Sequence, residues 1–365
     1  MSFCIFNSNA HRSYVFGLTL VALVPAVGLL LVGIYMQPLD GDLTRIGYYP
    51  ERDFGWNSTQ TEFKSQLYDR SQYVQHYDVV VFGDSFSTSR PLSQWQNYLS
   101  ASTKLSIVTL DLPKLSLDSL LNNPVYQHAP PKFVIYESVE RNFIDRMNSY
   151  NPPSAQAVQI SSMTIGKNFN SELNIPATYL KEVRRGFSLN EIKLDYVRNF
   201  LWKGNWQFLP SKAKTRVSKV ELDSIAPFSS RINKEMLVLA DDFEKISSWG
   251  NADLAEIGRR INHMREQIES NGKTKFLVMI APDKLTTYSR FAKDGKIRYL
   301  SGLAELAGQH PDVMPRIDLS LIDAIDADTA DVYLPNDSHW GSNGQRIVAE
   351  TILGFMESIG DTKLE

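Results

Sequence analysis

The sequence predicts an α/β domain hung from one N-terminal membrane-spanning helix. Three observations carry that expectation. An uncharged apolar run, Tyr14–Met36, stands near the start of the chain, and from Asp78 onward apolar, β-branched runs alternate with helix-like stretches. The first of those runs, Val79-Val80-Val81-Phe82, stops at the corner Gly83-Asp84-Ser85. Strands alternating with helices imply βαβ units and a parallel sheet with helices on both faces.

The apolar run is about 23 residues long, against the roughly 20 that a hydrocarbon core requires. It is longer than the apolar region of a cleaved signal peptide, roughly 7–15 residues, and no Ala-x-Ala-like site follows Ile34-Tyr35-Met36. The expectation is an uncleaved anchor over 14–36, with the short N-terminus 1–13 inside and the bulk of the chain outside. His11 and Arg12 precede the run, while Arg45 and Arg52 lie beyond it, so charge asymmetry contributes little to that orientation.

The chain of 365 residues is long enough for one large domain with additions or for two domains. A formal net charge of −3 gives no reason to expect a nucleic-acid partner. Cys4 is the single cysteine, which excludes an intrachain disulfide and a cysteine-based metal site.

Residues 37–75 form a connector rich in aromatics, among them Tyr48, Tyr49, Phe54, Trp56 and Phe63, and therefore expected to lie against the domain. The domain itself runs over 76–365. Its strands are expected at Asp78–Gly83, Leu105–Leu110, Phe133–Tyr136 and Phe276–Ile280. Helices are expected at Leu92–Ala101, around Leu115–Leu121, at Ala252–Ser270 with Asn251 as its N-cap, around Leu300–Gly308, and at Gly344–Ile359. Glu235–Ile246 also reads as regular structure. The pattern weakens over an insertion at about 145–234, where residues 147–234 carry thirteen Lys/Arg against six Asp/Glu together with Phe200, Trp202, Trp206 and Phe208. Such a composition suits a solvated lid or a surface that meets anionic lipid, an acidic polymer or a membrane partner.

Acyl transfer through serine needs a hydroxyl, a base to take its proton, a group to orient the base, and donors for the oxyanion. Ser85 supplies the hydroxyl at a strand-to-helix corner, where open α/β sheets place their sites. Of the six histidines only His339 combines a carboxylate two residues before it, Asp337, with a loop containing Gly and Asn ahead of a long helix. In an extended loop residues i and i+2 point the same way, so Asp337 can hold one ring nitrogen while the other faces the serine. A metal site is disfavoured, because Asp337 and His339 lack a further His or Cys at ligand spacing.

These residues carry a resemblance. Gly83-Asp84-Ser85-Phe86-Ser87 resembles the first block of the SGNH (GDSL-type) hydrolase superfamily. Asp337-Ser338-His339-Trp340 is similar to the Asp-x-His-Trp motif of its alginate O-acetyltransferase branch, and Pro282-Asp283-Lys284-Leu285-Thr286-Thr287-Tyr288 to that branch's Pro-x-Lys-x-x-x-Tyr segment. The likeness covers about 79–360, apart from most of the basic insertion. It implies a flavodoxin-like three-layer α/β/α domain with a mixed insertion, and an acyl-serine intermediate formed on Ser85 with His339 and Asp337. It further implies transfer of a small acyl group to a polysaccharide outside the bacterial inner membrane, with no cofactor and with a polytopic MBOAT-type membrane acyltransferase as partner. Gly83, Phe86, Lys284, Tyr288 and Trp340, which lie in these motifs, are oxyanion or substrate candidates, as are Arg141 and Asn142, which stand where the family's third block is absent and read equally as a salt-bridged helix start. A carbohydrate esterase and a non-catalytic scaffold are the alternatives. Two features depart from typical members: the spacing is Asp-x-His rather than Asp-x-x-His, and Tyr136-Glu137-Ser138-Val139-Glu140-Arg141-Asn142 stands where Gly-x-Asn-Asp is usual. The motif order also differs from the alginate enzymes, in which the Asp-x-His-Trp segment precedes the serine.

Overall fold

A computed structural model of the chain describes residues 8–36, 40–47, 49–63, 69–70, 73, 75–112, 117–150, 179–183, 216–223, 226–297 and 301–360. Residues 151–178 and 184–215, most of the expected basic insertion, lie outside the described residues, as do residues 1–7 of the N-terminus.

In chain order, α1 (Ser8–Met36) is followed by two short helices, α2 (Asp42–Gly47) and α3 (Glu51–Phe54), and strands β1 (Gln60–Phe63) and β2 (Asp69–Arg70). Then come β3 (Val79–Gly83), α4 (Ser85–Thr88), α5 (Trp95–Thr103), β4 (Ile107–Asp111), α6 (Leu117–Leu121), α7 (Pro124–His128), β5 (Phe133–Val139) and α8 (Glu140–Ser149). The second half holds β6 (Tyr179–Val183), β7 (Val217–Glu221), β8 (Glu235–Leu239), α9 (Asp241–Gly250), α10 (Leu254–Glu269) and β9 (Lys275–Ala281). It ends with α11 (Lys284–Tyr288), α12 (Leu303–Gln309), α13 (Ile317–Asp326) and α14 (Ser342–Ile359).

The central sheet has five strands in the order β2-β4-β3-β5-β9, and every pairing is parallel. Phe82 stands opposite Leu110 on one side and Tyr136 on the other. From β3 the chain first crosses to β4 on one side and then returns to β5 on the other. The strand order therefore reverses at β3, which opens a crevice beyond its carboxyl end. Ser85 begins there.

Because side chains alternate across a strand, the sheet feeds two cores. Val79, Val81, Ile135, Leu277 and Met279 pack against α5, α13 and α14 through Trp95, Leu99, Leu321, Val348 and Ile352. On the other face Val80, Phe82, Val134, Val278 and Ile280 meet α8 and α10 through Phe143, Met147, Ile257, Ile261 and Met264. Both faces are covered, so β3 and β9 are almost wholly apolar and β5 largely so. Each such side chain contributes about 1.5–3 kcal/mol on burial.

Residues after the first helix are part of the body. Leu43 and Phe54 are buried against Val217, Leu237 and Leu239 of the antiparallel β7–β8 pair. α1 contains a 23-residue stretch, Asn9–Leu31, with mean hydropathy 2.3 and no burial inside the protein. It is long and apolar enough to cross a membrane.

Several expected elements differ in detail. Glu235–Ile246 divides into strand β8 and the start of α9, with the break at Ala240. Asn251 closes α9 rather than opening α10; the N-cap is Asp253, whose carboxylate accepts from the Glu256 N–H 3.0 Å away. That Asp-x-x-Glu spacing is the capping-box pattern. The helix near 92–101 starts only at Trp95, after the turn at Pro91. α13 was not expected: its acidic residues Asp318, Asp323 and Asp326 obscure the apolar stripe Ile317, Leu321 and Ile325.

Candidate active site

Ser85 is the first residue of α4, and Asp84 caps that helix by accepting from the Phe86 N–H at 3.1 Å. The turn from strand to helix is tight. A Cβ on Gly83 would lie 2.5 Å from the Ser87 Cβ and 2.9 Å from Oε2 of Glu137, so a side chain has no room there. Asp84 also accepts from the Val139 N–H at 2.8 Å and from Arg146 at 2.5 Å, which ties the corner to the end of β5. Burial alone would raise the Asp84 carboxyl, but the Arg146 guanidinium overrides it and holds the group below its usual range.

Beneath the serine lies Glu137, fully buried in β5. Its Oε2 accepts from the Asp84 N–H at 2.9 Å and the Ser87 hydroxyl at 2.8 Å. Burial, with the Asp84 charge in second place, pushes this carboxyl well above the ordinary value. Glu137 therefore serves the corner as a buried hydrogen-bond acceptor.

His339 reaches the corner from a loop between α13 and α14. Tyr333 and Trp340 close that loop as an antiparallel bridge. Inside it, the Asp337 N–H donates to the Leu334 carbonyl at 3.2 Å, with Pro335 at the second turn position. Lys284 fills the loop's centre: its Nζ donates to the carbonyls of Leu334 at 2.8 Å, Pro335 at 3.1 Å and Asp337 at 3.2 Å. Burial pushes the Lys284 ammonium down to about 7.

The three reactive groups stand in series. His339 Nε2 lies 2.9 Å from Ser85 Oγ, and His339 Nδ1 lies 2.6 Å from Asp337 Oδ1. Nδ1–H donates to the carboxylate, so Nε2 is the nitrogen that accepts from the serine. The His339 backbone N–H also donates to Asp337 Oδ1 at 3.0 Å. On the far side, Arg90 donates to Asp337 Oδ2 at 2.8 Å. Burial would raise the Asp337 carboxyl, but Arg90 and His339 together hold it well below the carboxylate range. Burial would lower His339; the Asp337 carboxylate overrides it and raises the imidazole above 6.5. Ser85 is half-buried, so its hydroxyl is reachable from solvent, while His339 and Asp337 are buried behind it. The Ser85 backbone N–H, at the helix N-terminus, donates to no acceptor among the described residues and is free to meet an oxyanion.

The other residues singled out in the sequence fall into three groups. Gly83 and Phe86 belong to the corner. The Phe86 ring packs on His339, centroids 4.8 Å apart, and edge-on to Trp340 at 4.6 Å. Lys284, Tyr288 and Trp340 were expected to touch oxyanion or substrate, but all three are fully buried and support the His339 loop from within. The Tyr288 hydroxyl accepts from the Tyr333 N–H at 3.3 Å. Arg141 and Asn142 start α8. Arg141 pairs with Asp283 and lies 3.6 Å from Asp242, and Asn142 is exposed.

Arg90, Glu137 and Asp42 were not singled out in the sequence. Asp42, in α2, accepts from the Ser338 N–H at 2.7 Å and from the Ser338 hydroxyl, and its Oδ2 lies 3.9 Å from His339 Nδ1. Asp42, Asp337 and His339 offer ligand atoms within 4.8 Å of one another. Asp337 already accepts from His339 Nδ1 and Arg90, and Asp42 from Ser338, so a divalent cation there would break these bonds. The donor set suits proton transfer better than metal binding.

No protein-family model, curated protein or solved structure gives a significant match to this chain.

Proposed function

We propose that the chain is a membrane-anchored serine O-acyltransferase that moves a small acyl group, acetyl by the resemblance of its motifs, onto a glycan outside the inner membrane. The observation that carries this reading is the unbroken series Ser85 Oγ, His339 and Asp337, at 2.9 and 2.6 Å, set at a helix N-terminus. Support for an SGNH-type, flavodoxin-like domain comes from the order β4-β3-β5-β9 with the serine directly after β3.

His339 Nε2 takes the Ser85 proton as Oγ attacks the donor's acyl carbonyl. The Ser85 N–H faces the oxyanion that forms. The imidazolium, held by Asp337, then returns the proton to the leaving group, and an acyl-serine remains. A sugar hydroxyl gives its proton to His339, attacks the acyl-serine, and leaves as the ester while Oγ is reprotonated. No cofactor enters these steps. Acyl-CoA is cytosolic, so an exported enzyme needs its acyl groups carried across the membrane, the role assigned to an MBOAT-type partner.

The test is polymer acylation in cells carrying Ser85→Ala, with the purified full-length protein incubated in parallel with an acetyl ester, with and without oligosaccharide. Loss of polymer acylation and acetyl transfer to oligosaccharide support the reading. Release of acetate alone in both incubations would make the protein an esterase. Unchanged polymer acylation in Ser85→Ala cells would end the proposal.

A further inference from the structure

The segment that leaves the anchor is bonded into the catalytic loop. The first backbone N–H groups of α2 point at it: Leu43 and Thr44 donate to the Asn336 carbonyl at 3.1 and 3.2 Å, and Asp42 approaches Asp337 Oδ2 at 3.5 Å. Glu51, fully buried, accepts from the Asp40 and Gly41 N–H groups at 2.9 and 3.0 Å and from the Asn336 amide at 2.9 Å. The fit is close, because a Cβ on Gly41 would come within 1.9 Å of the Asn336 carbonyl oxygen. Asp42 alone takes both donors of Ser338, the residue between the carboxylate and the imidazole of the triad.

We infer that Asp42 is a positioning residue for the triad, so that the membrane-exit segment is a working part of the active site rather than a tether. This deepens the acyl-serine reading and rests on it. Asp337 and His339 sit on either side of Ser338, so a shift of Ser338 moves both. A displacement of about 1 Å at a reacting group costs on the order of 100-fold in rate. The charged groups that face this point are Asp337 and His339 from the loop, Arg90 from the turn after α4, Arg141 from α8, Lys284 from α11, and Asp40 from the exit segment itself.

The experiment compares full-length wild type, Asp42→Ala, Asp42→Asn, Gly41→Ala and Ser85→Ala in detergent, with p-nitrophenyl acetate as substrate and the melting temperature as a check on folding. Asp42→Ala is expected to lower kcat roughly 10- to 100-fold with KM little changed. Asp42→Asn can still accept from the Ser338 N–H and donate to its hydroxyl, so it is expected to restore most of kcat. Its acid limb should lie below that of wild type, because a negative charge beside the imidazole is gone. Gly41→Ala, which alters no titratable group, should reproduce the kcat loss. Wild-type kcat in a folded Asp42→Ala, or equal kcat losses in Ala and Asn, would overturn the inference. If Asp42→Ala does not fold, a wild-type kcat and acid limb in Asp42→Asn overturn it equally. Turnover surviving in Ser85→Ala would instead overturn the acyl-serine reading beneath it.

Discussion

Arg90 and His339 hold opposite oxygens of one carboxylate: Arg90 lies 2.8 Å from Asp337 Oδ2 and the imidazole 2.6 Å from Oδ1. The arginine keeps the buried carboxylate ionised, and the carboxylate keeps the imidazole basic. A pH dependence follows. His339 must be neutral to accept the Ser85 proton, and its pKa is raised above 6.5, so kcat/KM should fall as pH drops through a midpoint above that value. Asp337→Asn should move the midpoint down and cost roughly 1,000- to 10,000-fold. Arg90→Gln should move it up, because the remaining carboxylate charge is no longer balanced. The pH–rate profiles of the three proteins check both signs.

Lys284 gives a second prediction. Its ammonium sits among three carbonyls of the His339 loop, so Lys284→Met removes the lysine donor from all three and leaves Leu334 with only the Asp337 N–H. A loss of about 2–3 kcal/mol is expected, seen in chemical denaturation, with activity lost as the loop shifts. The sign with pH is fixed by the depressed pKa of about 7 against 10.5. Between those values the unfolded chain binds more protons than the folded one, so this group makes stability rise with pH. The wild-type advantage over Lys284→Met should therefore grow from pH 7 to pH 10.

Glu137 separates charge from hydrogen bonding. Burial raises its carboxyl well above the ordinary value, and its Oε2 accepts from the Asp84 N–H and the Ser87 hydroxyl. Glu137→Gln keeps an acceptor and should change stability by less than about 1 kcal/mol, with most activity retained. Glu137→Ala leaves a buried cavity and two donors unmet, and should cost about 3 kcal/mol. Thermal melts and p-nitrophenyl acetate turnover distinguish the two.

The chain reaches Asp42 only six residues after the end of α1 at Met36. An extended chain of that length spans at most about 22 Å, so the loop of Asp337 and His339 lies close to the end of α1. Inserting a flexible Gly/Ser spacer of about 15 residues after Pro38 should leave ester turnover by the purified protein intact. The same insertion should reduce acylation of polymer in cells, because donor and site are no longer held together.

The parts of the fold and site that could be read in advance are those written in short stretches of sequence. Val79–Gly83 is apolar because both faces of β3 are covered, and Ser85 follows it directly. Asp337 and His339 lie two residues apart in one loop. Arg90 and Asp42 carried no such signal, since their roles depend on contacts 247 and 296 residues away in the chain. Glu137 did leave a trace, a carboxyl amid the apolar strand Phe133–Val139. Lys284 and Tyr288 were noticed for a motif, yet burial inside the loop assigns them to its support. Motif spacing reports which residues matter before it reports which way they face.

Direct observation of the intermediate decides whether Ser85 is a nucleophile. Full-length protein incubated briefly with p-nitrophenyl acetate, quenched in acid and digested, should show one added acetyl group on the peptide carrying Ser85. The adduct should be absent in Ser85→Ala and should disappear when an acceptor oligosaccharide is added before the quench. An unmodified Ser85 peptide during steady turnover, or the same adduct on another residue in Ser85→Ala, would contradict the acyl-serine mechanism.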